Sequence, residues 1–141
     1  MNTSRVVLVA LVGAAVVGCG GKGISAPRTV PTSGTVLFRG KPAEGVKVTL
    51  HPKFNMGSVK FTPNGVTGKD GRFTLSTAAH GDGAPPGEYS VTLELLRPGT
   101  DKRGLDTEID VWKGKHGDPA TSKWPVEVKS GTNDLEPFRV E

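Results

Sequence analysis

The stretch from Gly65 to Leu95 constrains the fold most. Gly65-Val66-Thr67-Gly68-Lys69-Asp70-Gly71 leads into Arg72-Phe73-Thr74-Leu75-Ser76. A loop of small residues, Gly81-Asp82-Gly83-Ala84-Pro85-Pro86-Gly87, then precedes Glu88-Tyr89-Ser90-Val91-Thr92-Leu93-Glu94-Leu95. Phe73 and Leu75, then Tyr89, Val91, Leu93 and Leu95, recur at every second position, with polar residues between them. That period is a strand with one dry and one wet face. Asp70-Gly71 between two such runs signals a hairpin, because glycine takes the positive φ of a tight turn.

The rest of the chain is punctuated in the same way. Twenty glycines and 11 prolines in 141 residues break it into short elements, enough for one all-β domain, a sandwich or barrel. Thr35–Arg39 reads as the first strand, closed by a turn at Gly40-Lys41-Pro42. Val46, Val48 and Leu50 share one face of the next, which Pro52 ends. Phe54, Val59 and Phe61, in the looser connection from His51 to Pro63, are expected to cover a core edge. Gly87 to Leu96 reads as the longest strand. Arg97 to Lys123 is the least regular part, with a short strand at Ile109–Trp112. Trp124–Lys129 and Leu135–Val140 read as a closing hairpin about Ser130-Gly131-Thr132-Asn133. Seven or eight strands result, enough for two packed sheets.

The N-terminus reads as an address. Arg5 gives a positive start, Val6 to Val17 is apolar, and Gly18 is small, so 1–18 reads as an export signal. Its apolar run of about a dozen residues is too short for a spanning helix, which needs about twenty. Val16-Val17-Gly18-Cys19 matches the bacterial lipobox, in which the cysteine is lipidated and becomes the new N-terminus. Cys19 is the only cysteine, so neither an internal disulfide nor a thiolate zinc cluster is available. Residues 19–32 read as a lipidated, flexible tether and 33–141 as the domain. Gly20 is not the aspartate tied to inner-membrane retention, so the expected address is the outer membrane or cell surface. Removing Arg5 with the leader lowers the formal charge from +4 to +3, spread without a basic run; no nucleic-acid partner is expected.

Ser33-Gly34-Thr35-Val36, Gly40-Lys41-Pro42-Ala43-Glu44-Gly45-Val46-Lys47-Val48 and Gly65-Val66-Thr67-Gly68-Lys69-Asp70-Gly71-Arg72-Phe73 together resemble the carboxypeptidase regulatory-like, or transthyretin-like, domain. Gly81–Tyr89, Lys113–Ser122 and Val126–Asn133 are similar to a narrower group, the small lipoproteins of planctomycete-type bacteria. The resemblance implies a Greek-key β-sandwich of the prealbumin type. Its motifs are turn chemistry and specify fold rather than activity. The hydrolase branch of that fold ends in Tyr-Arg-Gly-Ser, whereas this chain ends Pro137-Phe138-Arg139-Val140-Glu141, which removes the ground for inferring that activity.

Catalytic and metal signals are weak in the residues themselves. His51, His80 and His116 have no ligand spacing and are expected to be exposed in loops. Asp106, Glu108 and Asp110 would line one side of an extended segment; such spacing suits calcium but more commonly marks a polar strand face. Asp70 and Asp82 read as turn residues that bond nearby amides. No Gly-x-Ser-x-Gly elbow or His-Glu-x-x-His motif is present. A Lys–Asn isopeptide is disfavoured because Lys47 alternates with Val46 and Val48 and Asn133 reads as a turn residue. Trp112 and Trp124 are expected in the core, with Trp112 the exception that could face a ligand from the long loop with His116 and Asp118.

The expected protein is a lipid-anchored, non-enzymatic β-sandwich of the cell envelope, without cofactor or metal. Its partner would be the membrane through the lipid, with an envelope protein or a polysaccharide at its loops. The alternative is a metal-dependent or hydrolytic enzyme using the 97–123 loop, and a third class is a unit that self-associates through exposed strand edges. The oligomeric state is left open.

Overall fold

The computed structural model describes residues 25–141; the expected leader, Cys19 and the first part of the tether lie outside the described residues. The strands are β1 (Thr32–Phe38), β2 (Lys41–Pro42), β3 (Val46–Pro52), β4 (Asn64–Val66), β5 (Arg72–Thr74), β6 (Gly87–Thr100), β7 (Asp106–Asp110), β8 (Pro125–Val128), β9 (Asn133–Asp134) and β10 (Phe138–Val140), with a single 3-10 turn at Pro119–Thr121. Setting aside β2 and β9, each of two residues, leaves eight.

Two sheets form. In the first, β1 is central, with β5 and β2 antiparallel to its two halves on one side and β9 and β10 parallel to them on the other. In the second the order is β4-β3-β6, with β8 against the start of β6 and β7 against its end. Val36, Phe73, Phe138 and Val140 face the second sheet from the first; Val46, Val48, Leu50, Tyr89, Val91, Leu93, Leu95 and Val128 face back, all buried. The alternation in the sequence is this core, and each such side chain contributes about 1.5–3 kcal/mol through burial. The fold is an all-β sandwich.

Burial also explains two anchors. Tyr89 is fully buried, and its hydroxyl donates to the Pro85 carbonyl at 2.6 Å while Phe54 meets its ring edge-on at 5.4 Å. Burial pushes its phenol pKa up to about 12. Gly34 on β1 faces inward, and a Cβ there would lie 2.6 Å from the Phe73 ring. The missing side chain lets Phe73 cross β1 and stack on Phe138, ring centroids 5.9 Å apart.

Several expectations are corrected. The Asp70-Gly71 turn forms, with the Gly71 amide donating to Gly68 O (2.9 Å), Gly71 at φ 73° and Asp70 accepting from the Arg72 amide. Its arms do not continue as a regular two-stranded ladder, because β4 joins β3 and β5 joins β1 in the other sheet; between them run the Gly68 N–H to Arg72 O bond (2.9 Å) and the doubly bonded Asn64–Ser76 bridge. The closing hairpin is likewise absent. β8 pairs with β6, while β9 and β10 cross to β1 and run parallel to it. Asn133 makes that crossover possible: its amide accepts from the Lys129 N–H and donates to the Lys129 carbonyl, replacing a partner strand. The first strand starts at Thr32, not Thr35, and Val30 already bridges Ala84 through two hydrogen bonds, so the fold includes residues assigned to the tether. The longest strand is β6, reaching Thr100.

Candidate functional site

The long connection after β7 has one structural duty that explains its shape. The middle of β6 lacks a strand on its outer edge between β8 and β7. Residues 111–124 fill the gap: Val111 N–H donates to Leu95 O (2.8 Å), Leu93 N–H to His116 O (2.9 Å) and Val91 N–H to Trp124 O (3.2 Å). Ser122 reinforces this, its hydroxyl donating to Val91 O at 2.6 Å.

Asp110 starts the detour. Its carboxylate accepts from the Leu95 and Trp112 amides at 2.9 and 3.0 Å through one oxygen and from the Gly114 amide at 2.7 Å through the other. It is therefore occupied by backbone, while Asp106 and Glu108 stand exposed on β7. Among the described residues no three His, Cys, Asp or Glu side chains are grouped to hold a metal ion.

Three side chains of the segment turn inward. Trp112 packs on Phe38 (centroids 5.6 Å apart), His116 meets Trp112 edge-on at 5.4 Å, Trp124 meets His116 at 5.4 Å, and Trp124 lies 6.3 Å from Phe138. With the Phe138–Phe73 stack, a continuous line of rings closes this side of the sandwich. Tilted and edge-on pairs of this kind contribute about 0.5–1.5 kcal/mol each beyond burial. Trp112 Nε1 and His116 Nε2 are buried without a hydrogen-bond partner. Burial holds the His116 pKa below the ordinary histidine value, helped by Lys115 and Lys123 and partly opposed by Asp110.

The expected site residues thus divide. Trp112 and His116 come together, but half-buried and packed against the core rather than presented to solvent. Asp118 is exposed and accepts from the Ala120 amide at 2.8 Å, starting the 3-10 turn. His51 is also half-buried, hydrogen-bonded to Thr92 Oγ1 at 2.8 Å, with a pKa lowered by burial; only His80 is exposed as expected. Exposure fails for the other two because each histidine sits where an unsupported strand face or edge needs cover. Asp82 behaves as read, accepting from the Thr77, Ala78 and Ala79 amides; against some desolvation, those bonds keep its pKa below the usual carboxylate value. Lys47 lies on the outer face, 3.9 Å from Glu94.

Residues missed from sequence are Phe38 and Ser122, while Asp110, read with Asp106 and Glu108 as one side of an extended segment, instead binds three backbone amides. The signal for that role was an aspartate four residues before a glycine in a loop that must turn; Phe38 and Ser122 carried none. Two surface hollows accompany the ring line. One of about 690 Å³ lies between β4 and β5, where Arg72 already pairs with Asp134 at 3.4 Å. Another of about 480 Å³ opens at the β1–β2 end, beside Phe38. Among the described residues no helix is long and apolar enough to cross a membrane.

No family model matches the chain, and no curated protein matches it. Solved structures similar to it in backbone include a 9R-lipoxygenase from Cyanothece (TM-score 0.46, 16% identity, 83% of this chain and 17% of that one). A DUF3823 family protein from Parabacteroides merdae is similar at TM-score 0.43 and 16% identity, over 82% of this chain and 47% of that one. The major pilin subunit of Bacillus cereus is similar at TM-score 0.44 and 17% identity, over 82% and 30%. The chain spans less than half the length of each of these three proteins.

Proposed function

We propose that the chain is a lipid-anchored, non-catalytic binding module of the cell envelope, a variant of the transthyretin-like sandwich its sequence resembles. The observation that carries the non-catalytic part is the environment of His116. An enzyme built on this loop needs the histidine and carboxylates converging on a polar cleft. Here the ring stands between two tryptophans, Asp110 is bound to three amides and Asp118 caps a turn. The anchored part rests on Val16-Val17-Gly18-Cys19 behind an apolar run. The lipid sets the location, the tether gives reach, and the sandwich offers its loops to an envelope protein or polysaccharide, at the outer membrane or cell surface.

The test is intact mass and membrane fractionation of the protein expressed with its own leader, beside Cys19→Ser. A lipid-sized mass increment with membrane association, both lost in the variant, is the expected result. A soluble, unmodified product from the natural leader overturns the anchor.

A further inference from the structure

The described chain has two non-glycine residues with positive φ, Arg39 (50°) and Lys113 (53°), each followed by a positive-φ glycine, Gly40 (76°) and Gly114 (77°). Both turns read aromatic–basic–Gly–Lys: Phe38-Arg39-Gly40-Lys41 and Trp112-Lys113-Gly114-Lys115. In the first, Phe38 and Lys41 pair as strand neighbours; in the second, the Lys115 amide donates to Trp112 O at 3.0 Å. These are two-residue turns of the I′ kind, whose first position favours Asn, Asp or Gly; a long basic side chain there is strained by about 1 kcal/mol. The two turns come from distant parts of the chain, yet the Phe38 and Trp112 rings that open them touch, centroids 5.6 Å apart; Lys113 and Lys115 themselves lie outside the lining of the hollow described next.

The surroundings of the first turn share its sign. The 480 Å³ hollow at this end is lined by Arg39, Lys41, Lys69 and Arg97 over an apolar floor that includes Phe38 and Leu95. Its volume falls in the range of about 300–1,000 Å³ typical of ligand pockets. Glu44 is the one carboxylate in the lining. Among the described residues none of these four cations, nor Lys113 or Lys115, makes a salt bridge, a condition shared by every described lysine and arginine except Lys47, Arg72 and Arg103, so what sets the hollow apart is the density of its cations. Arg39 lies over the Phe38 ring at 5.1 Å, and Arg97 donates to Leu96 O at 2.8 Å across Gly45, where a Cβ would lie 2.5 Å from its guanidinium. Glu141, next to the Val140 carbonyl that accepts the Arg39 amide, pairs with none of them.

We infer that this paired-turn rim binds an anionic carbohydrate, a sugar chain bearing carboxylates or sulfates. Unpaired cations meet the anionic groups, and the apolar part of the lining, which includes Pro42, offers contact for sugar-ring faces between them. The inference rests on the binding-module reading above. A lipid headgroup is the rival anionic occupant, and the vesicle arm of the test separates the two: the chain enters the fold at Val30, before β1, and the rim lies beyond the other end of that seven-residue strand, about 20 Å away.

The test measures binding of the full chain, with whatever N-terminus the host leaves, to polygalacturonate, dextran sulfate, neutral dextran and phosphatidylglycerol vesicles over a salt series. The variant is Arg39→Asn with Lys113→Asn, which puts the favoured Asn-Gly pair into both turns and keeps them folded. A control, Lys53→Gln with Lys129→Gln, changes net charge equally at exposed sites elsewhere. We expect wild type to bind at least one anionic polymer, the variant to bind it at least about tenfold more weakly at low salt, and the slope of log affinity against log salt to shrink by roughly two. Thermal stability of the variant should match or exceed wild type, and the control should stay within about twofold. No binding to either anionic polymer, undiminished binding by the variant, an equal loss in the control, or a preference for neutral dextran or vesicles overturns the inference. Lipidation is read separately by mass, so an anchored protein that ignores both polymers refutes only the rim.

Discussion

Thr67 holds the rim's framework together, and replacing it gives the sharpest test of the fold. Its hydroxyl donates to Ala43 O at 2.5 Å and accepts from the Val46 amide at 2.9 Å, tying the turn that carries Lys69 to the start of β3. Thr67 is 4% exposed, Val46 0% and Ala43 8%, so water cannot replace those bonds. Thr67→Val keeps the shape and removes both, leaving a buried N–H and a buried C=O without that partner. At about 1–3 kcal/mol for each of the two unsatisfied groups, the expected cost is about 2–6 kcal/mol. Thr67→Ser keeps both bonds and loses one methyl, about 1 kcal/mol. For a domain of this size each kcal/mol moves Tm by about 4 °C, so valine should lower it by about 8–24 °C and serine by about 4 °C. Urea melts should show lower midpoints with unchanged slopes. A valine variant as stable as the serine variant would refute the reasoning, because the hydroxyl would then hold nothing.

Tyr89→Phe removes the donor to Pro85 O and keeps the ring against Phe54; we expect a loss of about 1–2 kcal/mol by urea melt and little change in near-UV circular dichroism. His51 and His116 both have pKa values lowered by burial, so the unfolded chain binds more protons than the folded one as pH drops below the ordinary value of 6.5. Their stability contribution is complete above that value and lost as pH falls through it toward the lower folded values. His116→Phe should flatten that decline and preserve or raise stability at pH 7, since the unpartnered Nε2 disappears; an unchanged pH profile would mean the ring is not buried as described.

How far the sequence could be read depended on the range of the interaction concerned. The faces of β3 and β6 were legible because period-2 alternation records burial directly: Val46, Val48 and Leu50, then Tyr89 to Leu95, are the core. Turns were legible because Asp70 and Asp82 bond amides within a few residues. Which strands those turns join was not. Asp-Gly chemistry is the same whether its arms pair or part, and the parting here depends on distant partners, β3 for one arm and β1 for the other. Asn133 misled for the same reason: its side chain satisfies Lys129 locally and frees the chain to change sheets. The site failed in the opposite direction. A histidine in a glycine-rich loop looks exposed, but the loop lies on an open stretch of β6, and the edge draws Trp112, His116 and Trp124 inward.

That edge also connects fold to proposed function. A regular strand beside the middle of β6 would satisfy its amides with less chain. Instead Asp110 bonds three amides, the chain turns with a lysine at positive φ, and Trp112 reaches Phe38 across the open side. Stability alone argues against this choice at Lys113, as it does at Arg39, since asparagine would suit either turn better. Two distant segments share the same local cost and the same charge, and their aromatic neighbours touch. Strain repeated in two turns of one sign of charge is what the proposed anionic ligand would account for, because packing is served equally by either turn without its cation.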